Sequence, residues 1–204
     1  MSQPVESLPL SELTPARQAI MEAAAETFAA NGYRSTSMDE IAVAAGVARR
    51  SLYHHFASKK EILLAACLQQ AKDFLIEVRR CVPQQENFPD YMVDCLTYVI
   101  EQAPKSKLFM LDVTQGADVD PVAFYFANDA LIDDWIEFFH DPYLEALRRQ
   151  QINPAIKLEK LVNWFGRLAT SFLQYQLAGE SAEDIRESIE VFFVNGLKHK
   201  TRAP

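Results

Sequence analysis

The chain has 204 residues, of which 49% are hydrophobic and 24% charged, and its formal net charge is −8. These values are typical of a globular protein with a sizeable core, and no apolar run reaches the ~18 residues of a membrane helix. Residues 1–13 lack the basic and apolar segments of a secretory signal, so we expect a flexible N-terminal arm on a cytoplasmic protein without a membrane partner.

The acidic net charge, taken as a whole, argues against a nucleic-acid-binding protein. The charge is unevenly distributed, because residues 1–60 carry six Lys/Arg and six Asp/Glu, whereas residues 61–204 carry fourteen and twenty-two. Within residues 34–60, five basic residues stand against two acidic ones. A local positive patch is what contacts phosphate, so residues 34–60 are compatible with DNA binding.

The three cysteines favour a reducing compartment, because their number is odd and no export signal precedes them. Cys67 and Cys81 are predicted on one helix, where a rise of 1.5 Å per residue separates them by roughly 21 Å and excludes a disulfide bond. We expect both, and Cys95, to be buried as small apolar side chains. No metal site or cofactor is expected, since His140 beside Asp141 offers too few ligands.

Helix signals recur along the chain, and strand signals are almost absent. Thr14-Pro15 begins the first helix, and capping boxes at 37–40 and 58–61 begin the second and fourth. Gly46 ends the second helix, and the third follows at once. The predicted all-α chain has about nine helices, at residues 15–31, 38–45, 48–56, 59–80, 89–103, 105–115, 122–150 with a kink near Pro142, 154–178 and 182–198.

The third predicted helix has an apolar face and a polar face when its residues are placed at roughly 100° intervals. Leu52 and Phe56 point one way with Ala48 beside them, whereas Arg50 and His54 point the opposite way. A short helix and the tight turn 45–47 precede it. This layout is that of a helix-turn-helix whose second helix is exposed to the major groove of DNA.

The polar side chains of this helix suit contacts with bases and phosphates. Arg49 and Arg50 can each donate two hydrogen bonds to guanine, and His54 can reach a base edge or a phosphate. The predicted phosphate contacts are Ser37, Ser51, Tyr53, His55 and Lys59, with Lys60 as a further candidate. The alternative is an ordinary solvated surface helix, which the flanking capping boxes and the turn disfavour.

Four segments, Thr36–Ala42, Ala45–Val47, Leu52–Phe56 and Ser58–Glu61, together resemble the N-terminal domain of TetR-family transcriptional regulators. The resemblance extends from about Ala16 to Leu64. It implies an all-helical homodimer that binds a palindromic DNA operator, usually as a repressor released by a small-molecule effector. It also implies the same base and phosphate contacts as the helical projection.

The sequence departs from the family pattern in two places. Ala48 stands where Ser or Thr often caps the third helix, so that helix lacks its usual N-cap side chain. Arg49-Arg50 is more basic than is common and suggests G-rich half-sites. After the expected arm of residues 1–13, the resemblance implies a helix-turn-helix DNA-binding domain over 14–60. It also implies a larger helical ligand-binding and dimerisation domain over 61–204, linked through the long helix 59–80.

Aromatic residues are concentrated in the C-terminal part, where some can line a cavity for an apolar or aromatic ligand. The alternative for each of them is the ordinary core. The predicted pocket residues are Tyr91, Tyr98, Phe109, Tyr125, Trp135, Phe138, Phe139, Trp164 and Phe172.

Nine acidic residues and no Lys or Arg occur between Lys107 and Arg148. We expect a solvated face, and the sharper hypothesis is a cationic ligand held by Trp135 with Asp134 or Glu137. The acidic residues are Asp112, Asp118, Asp120, Asp129, Asp133, Asp134, Glu137, Asp141 and Glu145.

The last two predicted helices are amphipathic, and by resemblance they pair across a two-fold axis as a four-helix bundle. The alternative is intramolecular core. The predicted interface residues are Phe165, Leu168, Ile189, Phe192 and Phe193.

Three functions compete for this sequence. The first is a ligand-responsive dimeric repressor, and the second is a DNA-binding regulator whose C-terminal domain binds a protein partner. The third is a helical enzyme, which no nucleophile–base pair, phosphate loop or metal cluster supports. The protein is therefore predicted not to be an enzyme.

Overall fold

The computed structural model describes residues 14–105, 128–175 and 180–197. These residues form helices and connecting turns without a strand, which confirms the predicted all-α fold. The N-terminal arm, nearly all of the predicted helix 105–115 and the start of the helix 122–150 lie outside the described residues. The described residues divide into two compact units, an N-terminal unit up to residue 71 and a C-terminal unit that contains residues 72–105 and the described residues after 128.

Eight main helices are present in the described ranges. They are α1 (Pro15–Asn31), α2 (Met38–Ala44), α3 (Arg49–His55), α4 (Lys59–Cys81), α5 (Phe88–Gln102), α6 (Asp129–Arg148), α7 (Leu158–Gln174) and α8 (Ala182–Ser188). A 3₁₀ turn at Ala103–Lys105 follows α5. After α8 the chain continues as a π-helical segment at Ile189–Val194 and one α-helical turn at Asn195–Leu197.

The N-terminal unit is held together by apolar side chains from α1, α2 and α3. Ile20 and Phe28 of α1, Ile41 of α2 and Leu52 of α3 are all fully buried, and Phe56 is 1% exposed. The Thr14 side chain caps α1 by accepting a 3.3 Å hydrogen bond from the amide of Arg17. These residues form one small core beneath the helix-turn-helix.

Helix α5 is the central helix of the C-terminal unit. It packs against α6, α7, α8 and the π-helical segment. Its buried residues occupy one broad face of the helix, whereas Asp90 and Glu101 on the opposite face are exposed. The buried residues are Phe88, Pro89, Tyr91, Met92, Val93, Cys95, Leu96, Val99 and Ile100.

The predicted start of the penultimate helix at Pro154 is wrong, because α7 begins at Leu158. The Asn153 side chain accepts a 3.0 Å hydrogen bond from the amide of Ala155, and the Asn153 carbonyl accepts another from the amide of Ile156. Asn153 therefore stabilises a local turn instead of a helix start. The Tyr143 hydroxyl donates a 2.8 Å bond to the Ile156 carbonyl and fixes this turn against α6.

The cysteine prediction is confirmed for Cys67 and Cys95, which are buried free thiols. Burial raises the pKa of the Cys95 thiol to about 12. Cys81 is exposed at the end of α4, so the prediction is wrong for this residue. No helix in the described ranges combines the length and hydropathy needed to cross a membrane.

Candidate nucleic-acid interface

The turn between α2 and α3 is a Schellman motif centred on Gly46. The amide of Val47 donates a 3.0 Å hydrogen bond to the carbonyl of Ala42, and the amide of Gly46 donates a 3.1 Å bond to Val43. Gly46 has φ = 65°, the left-handed conformation that glycine adopts without steric cost. The sharp turn that the helix-turn-helix needs is therefore encoded by Gly46.

Helix α3 presents the two faces that its sequence predicts. Leu52 and Phe56 are buried, whereas Arg50 and His54 are exposed. Ala48 was expected on the apolar face, but it is exposed. It is the N-cap residue with extended backbone (φ −65°, ψ 143°), so the helical projection does not apply to it. It makes no side-chain cap, as its residue type dictates.

Arg49, at the first position of α3, is held by residues of two helices. Its guanidinium forms a 2.9 Å ion pair with the carboxylate of Asp39 in α2. The same guanidinium lies 5.7 Å from the ring centroid of Tyr53, one turn further along α3. Both side chains of the ion pair are more than half exposed, so further Arg49 donors face solvent. The sequence does not predict this contact of Asp39, because it depends on how α2 and α3 pack.

Ser37 closes the predicted capping box at the start of α2. Its hydroxyl oxygen accepts a 3.2 Å bond from the Glu40 amide, and the Glu40 carboxylate accepts a 2.7 Å bond from the Ser37 amide. The Ser37 hydroxyl also donates a 2.8 Å bond to the Glu40 carboxylate. This bond and the one from the Ser37 amide hold the pKa of Glu40 below its usual value. At the start of α4 the box is modified: Ser58 accepts from the Glu61 amide, but Glu61 accepts from the amide of Ala57.

Lys59 is directed towards main-chain carbonyl groups. Its ammonium donates hydrogen bonds of 2.6, 3.2 and 2.6 Å to the carbonyls of Tyr33, Arg34 and Thr36, which accounts for its three donors. The ammonium also lies 4.5 Å from the centroid of the Tyr33 ring. Burial lowers the pKa of Lys59. In the free protein Lys59 therefore ties the α1–α2 connection to the start of α4, and its phosphate contact stays a prediction.

The other predicted phosphate contacts lie along or beside α3. Tyr53 is 45% exposed, and Ser51 and His55 are partly exposed. The His54 and His55 rings meet edge to face with centroids 5.5 Å apart. All three side chains are accessible enough to approach a phosphate, and their roles stay predictions.

The predicted pocket residues of the C-terminal unit form a packed aromatic cluster. Trp135 lies 5.4 Å from Phe138, 5.6 Å from Phe139 and 5.1 Å from Phe165 between ring centroids. Tyr91 stacks on Phe138 at 6.1 Å. These rings pack directly on one another, so they form part of the core of this unit.

Several other pocket candidates lie elsewhere. Trp164 is 54% exposed and therefore does not line the aromatic cluster. Phe172 is partly exposed. Tyr98 stacks on Phe74 at 6.2 Å and donates a 2.8 Å hydrogen bond to Glu77. Phe109 and Tyr125 lie outside the described residues.

A cleft of about 440 Å³ is lined by Tyr98, a predicted pocket residue, together with residues that were not predicted to line a pocket, among them Asp94, Thr97 and Arg186. An ion pair of 2.7 Å between Arg186 and Asp94 lies in its lining. The buried hydroxyl oxygen of Thr97, also in the lining, has no hydrogen-bond partner among the described residues. The volume is in the range of small-molecule sites.

The structure gives one observation against and one in favour of the hypothesis that aromatic faces bind a cationic ligand. The face of Phe138 is covered by the guanidinium of Arg79, 5.1 Å from the ring centroid. Glu137 is exposed, but the Asp134 carboxylate has one buried oxygen without a hydrogen-bond partner in the described part of the chain. Of the described acidic residues, Asp129, Asp133 and Asp141 are exposed as a solvated face requires, whereas Glu145 pairs with Arg148 and Arg149.

Three of the predicted interface residues are buried inside their own chain. Phe165, Ile189 and Phe193 are 1%, 2% and 5% exposed, so they contribute to the core of the C-terminal unit. Phe192 is 80% exposed, and Leu168 is partly exposed. The large apolar side chains exposed in this part of the chain are Trp164 and Tyr175 on or next to α7 and Val191 and Phe192 in the π-helical segment.

Comparison with known proteins agrees with this geometry. Residues 20–66 match the family model "Bacterial regulatory proteins, tetR family". The chain is 28% identical over 189 residues to the HTH-type transcriptional regulator UidR of Escherichia coli K12, covering 92% of each chain. It is 31% identical over 109 residues to the uncharacterized HTH-type transcriptional regulator TtgW of Pseudomonas putida, which covers 53% of this chain and 80% of that one.

The fold is also similar to that of a solved structure. The structure of AibR in complex with isovaleryl coenzyme A and operator DNA aligns with a TM-score of 0.54 and 22% identity. The alignment covers 89% of this chain and 97% of AibR. This likeness concerns the fold.

Proposed function

Because the chain belongs to the tetR family of bacterial regulatory proteins, whose members are DNA-binding transcriptional regulators and not enzymes, we propose that it is a homodimeric repressor that binds a palindromic operator and is released by a small ligand. The observation that carries this proposal is α3, which exposes Arg50 and His54 opposite the buried Leu52 and Phe56. Such a helix can enter the major groove while the N-terminal core holds it from behind.

The proposed base contacts are Arg49, Arg50 and His54. Arg49 and Arg50 occupy the first turn of α3, where the helix dipole disfavours cations and Ala48 supplies no cap. Two arginines at this position do not stabilise the helix, which supports a role in binding an anionic partner. Ser37, Ser51, Tyr53, His55 and Lys59 are the proposed phosphate contacts.

Dimerisation is proposed through the outward face of α7 and the π-helical segment. Trp164, Val191 and Phe192 are large apolar side chains exposed to solvent. Exposed groups of this kind mark interaction surfaces, and a two-fold axis would bring the face of one protomer against that of its partner. Two recognition helices separated by about one DNA turn, ~34 Å, would then contact successive major grooves.

The effector is proposed to bind in the C-terminal unit and to be a small, largely apolar or aromatic molecule. AibR, which shares the fold, was solved with an acyl coenzyme A and operator DNA. The 440 Å³ cleft at Tyr98 has a volume suited to such a molecule, and Arg186 and Asp94 in its lining would supply polar contacts that fix the ligand's orientation. Effector binding would release DNA by changing the spacing of the two recognition helices.

A second candidate, in which the C-terminal unit binds a protein partner, is favoured by the direct packing of Trp135, Phe139 and Phe165 on one another. Native mass spectrometry of the freshly purified protein distinguishes the two. The repressor with an effector predicts a dimer that carries a discrete additional small mass. A dimer that carries no small molecule and co-purifies with a second protein instead favours the partner model.

DNA recognition is tested by selecting duplexes from a randomised double-stranded library with the full chain and then measuring affinity by fluorescence anisotropy. Arg50→Ala should lower affinity for the selected duplex by ~1–3 kcal/mol and relax the preference at one base position in each half-site. An equal loss on the selected and on a scrambled duplex would show that Arg50 contacts phosphate and would overturn its base role.

A further inference from the structure

We infer that Asp39 is a positioning residue that holds Arg49 in the orientation needed to read a base, and that it limits binding to DNA of other sequences. This inference rests on the proposed function, because it concerns how the helix-turn-helix selects its operator. Asp39 does not itself contact DNA in this account. It acts through Arg49, to which it is joined by a 2.9 Å ion pair.

The geometry restricts the Arg49 side chain from two sides. The Asp39 carboxylate accepts from one terminal nitrogen of the guanidinium, and the Tyr53 ring lies 5.7 Å from the guanidinium carbon. Asp39 comes from α2, whereas Arg49 and Tyr53 belong to α3, so the contact also joins the two helices of the motif. A guanidinium has five N–H donors in a fixed plane, and one bond to Asp39 leaves the others for a base edge.

The charge of Asp39 argues for selectivity and against a general gain in affinity. A carboxylate beside the recognition helix repels DNA phosphates, and an ion pair whose members are 66% and 55% exposed contributes little to folding. The same carboxylate keeps Arg49 from swinging to a phosphate, a contact that would be equally available on every sequence. Specificity is the difference between the affinity for the operator and the affinity for other DNA, and Asp39 lowers the affinity for other DNA.

The position of Arg49 at the start of α3 provides a second electrostatic effect that favours its contact with Asp39. Two arginines stand in the first turn of a seven-residue helix whose N-cap side chain makes no hydrogen bond. The positive end of the helix dipole repels these cations. A carboxylate from the preceding helix offsets this repulsion at Arg49, so one contact both compensates the charge and fixes the direction of the guanidinium.

The test uses the full-length chain, a duplex selected from a randomised library by the wild-type protein, and a scrambled duplex of equal length. Asp39→Ala should strengthen binding to the scrambled duplex and reduce the ratio of the two affinities by about 3- to 10-fold. If Arg49 then moves to a phosphate, the salt dependence of scrambled-duplex binding should steepen by about one unit of log K against log salt. Asp39→Asn keeps the shape of the side chain without its charge, so its affinity ratio should lie between those of the wild type and Asp39→Ala.

The control for overall charge is Asp90→Ala, which removes an exposed carboxylate from the first turn of α5 in the other unit. It should leave the affinity ratio unchanged. The control for the mechanism is the double variant Asp39→Ala/Arg49→Ala. Because Asp39 acts through Arg49, adding Asp39→Ala to Arg49→Ala should not lower the ratio further.

If Asp39→Ala and Arg49→Ala lower the affinity ratio independently, so that the double variant loses more than Arg49→Ala alone, the positioning role is overturned. An unchanged affinity ratio for Asp39→Ala would overturn it too. An Arg49→Ala variant with wild-type base preference would also overturn it, while leaving a sequence-selective regulator in place. A wild-type chain that enriches no sequence from the library would instead overturn the proposed function, and the role of Asp39 with it.

Discussion

The guanidinium of Arg17, in the first turn of α1, donates a 2.6 Å hydrogen bond to the main-chain carbonyl of His55, the last residue of α3. It also stacks over the ring of Phe56 at 4.1 Å from the centroid. A cation suits the C-terminal end of a helix, where carbonyl groups lack intrahelical partners. Helix α1 thus holds the recognition helix at one end while Asp39 contacts its other end.

Arg17→Ala should lower the free energy of unfolding by about 1–3 kcal/mol, because it removes a charge-assisted hydrogen bond and a cation–π contact. Urea denaturation followed by circular dichroism measures the loss. Arg17→Lys is the matched variant, since it keeps the charge but lacks the planar group that stacks on Phe56, and it should recover only part of the stability. Wild-type stability for Arg17→Ala would show that the contact contributes nothing.

Lys59→Ala should destabilise the N-terminal unit by about 1–3 kcal/mol, because three carbonyl groups lose their donor. If Lys59 also contacts a phosphate in the complex, the salt dependence of DNA binding should become shallower by about one unit. Thermal denaturation and anisotropy titrations at several salt concentrations separate the two effects. A loss of stability with an unchanged salt slope would contradict the phosphate role and leave the structural one.

Gly46→Ala should destabilise the helix-turn-helix by about 1 kcal/mol through backbone strain alone. Gly46 has φ = 65°, yet a Cβ atom there would meet no atom within 4 Å, so steric contact adds nothing. Denaturation measures the cost, and Gly46→Asn, whose side chain tolerates the left-handed region better, should cost less. Equal stability of wild type and Gly46→Ala would mean that the turn adapts without the left-handed residue.

Gln150→Gly should stabilise the C-terminal unit by about 0.5–1 kcal/mol. Gln150 has φ = 55° after α6, where the amide of Gln151 donates to the carbonyl of Ala146 and the amide of Gln150 to Leu147. This is the same Schellman arrangement as at Gly46, but a residue with a Cβ atom occupies the left-handed position. An increase in the denaturation midpoint is the expected result, and a decrease would contradict strain at Gln150.

Phe192→Glu should raise the dissociation constant of the dimer by about 30-fold or more, because a charge would replace a large apolar contact in the proposed interface. Sedimentation velocity at several protein concentrations measures the shift. The control is Ile76→Glu, which places the same charge at another exposed apolar residue, on α4. A Phe192→Glu dimer as tight as the wild type would exclude this face.

The local features of the N-terminal unit were predictable because the sequence encodes them over a few residues. The spacing of Leu52 and Phe56 predicts their burial, and Ser37 with Glu40 predicts the capping box. Ala48 was misplaced because a helical projection does not describe an N-cap with extended backbone. The pairing of Arg49 with Asp39 could not be predicted, since it depends on how α2 and α3 pack.

The C-terminal unit was less predictable, because an amphipathic pattern does not say what covers each apolar residue. Phe165 and Phe192 both fit an interface pattern, yet one is buried in its own chain and the other is 80% exposed. Trp164 was predicted to line a pocket, yet its side chain is 54% exposed. The number of apolar residues predicts a core, but their partners emerge only from the packing of whole helices.

The central claim is that two copies of α3 read an inverted repeat. Hydroxyl-radical footprinting of the full-length protein on a duplex selected from a randomised library tests it most directly. The account predicts two protected half-sites, related by a two-fold axis and centred about one helical turn apart, with protection lost for Arg50→Ala. A single protected half-site, or uniform protection that Arg50→Ala does not alter, would contradict it.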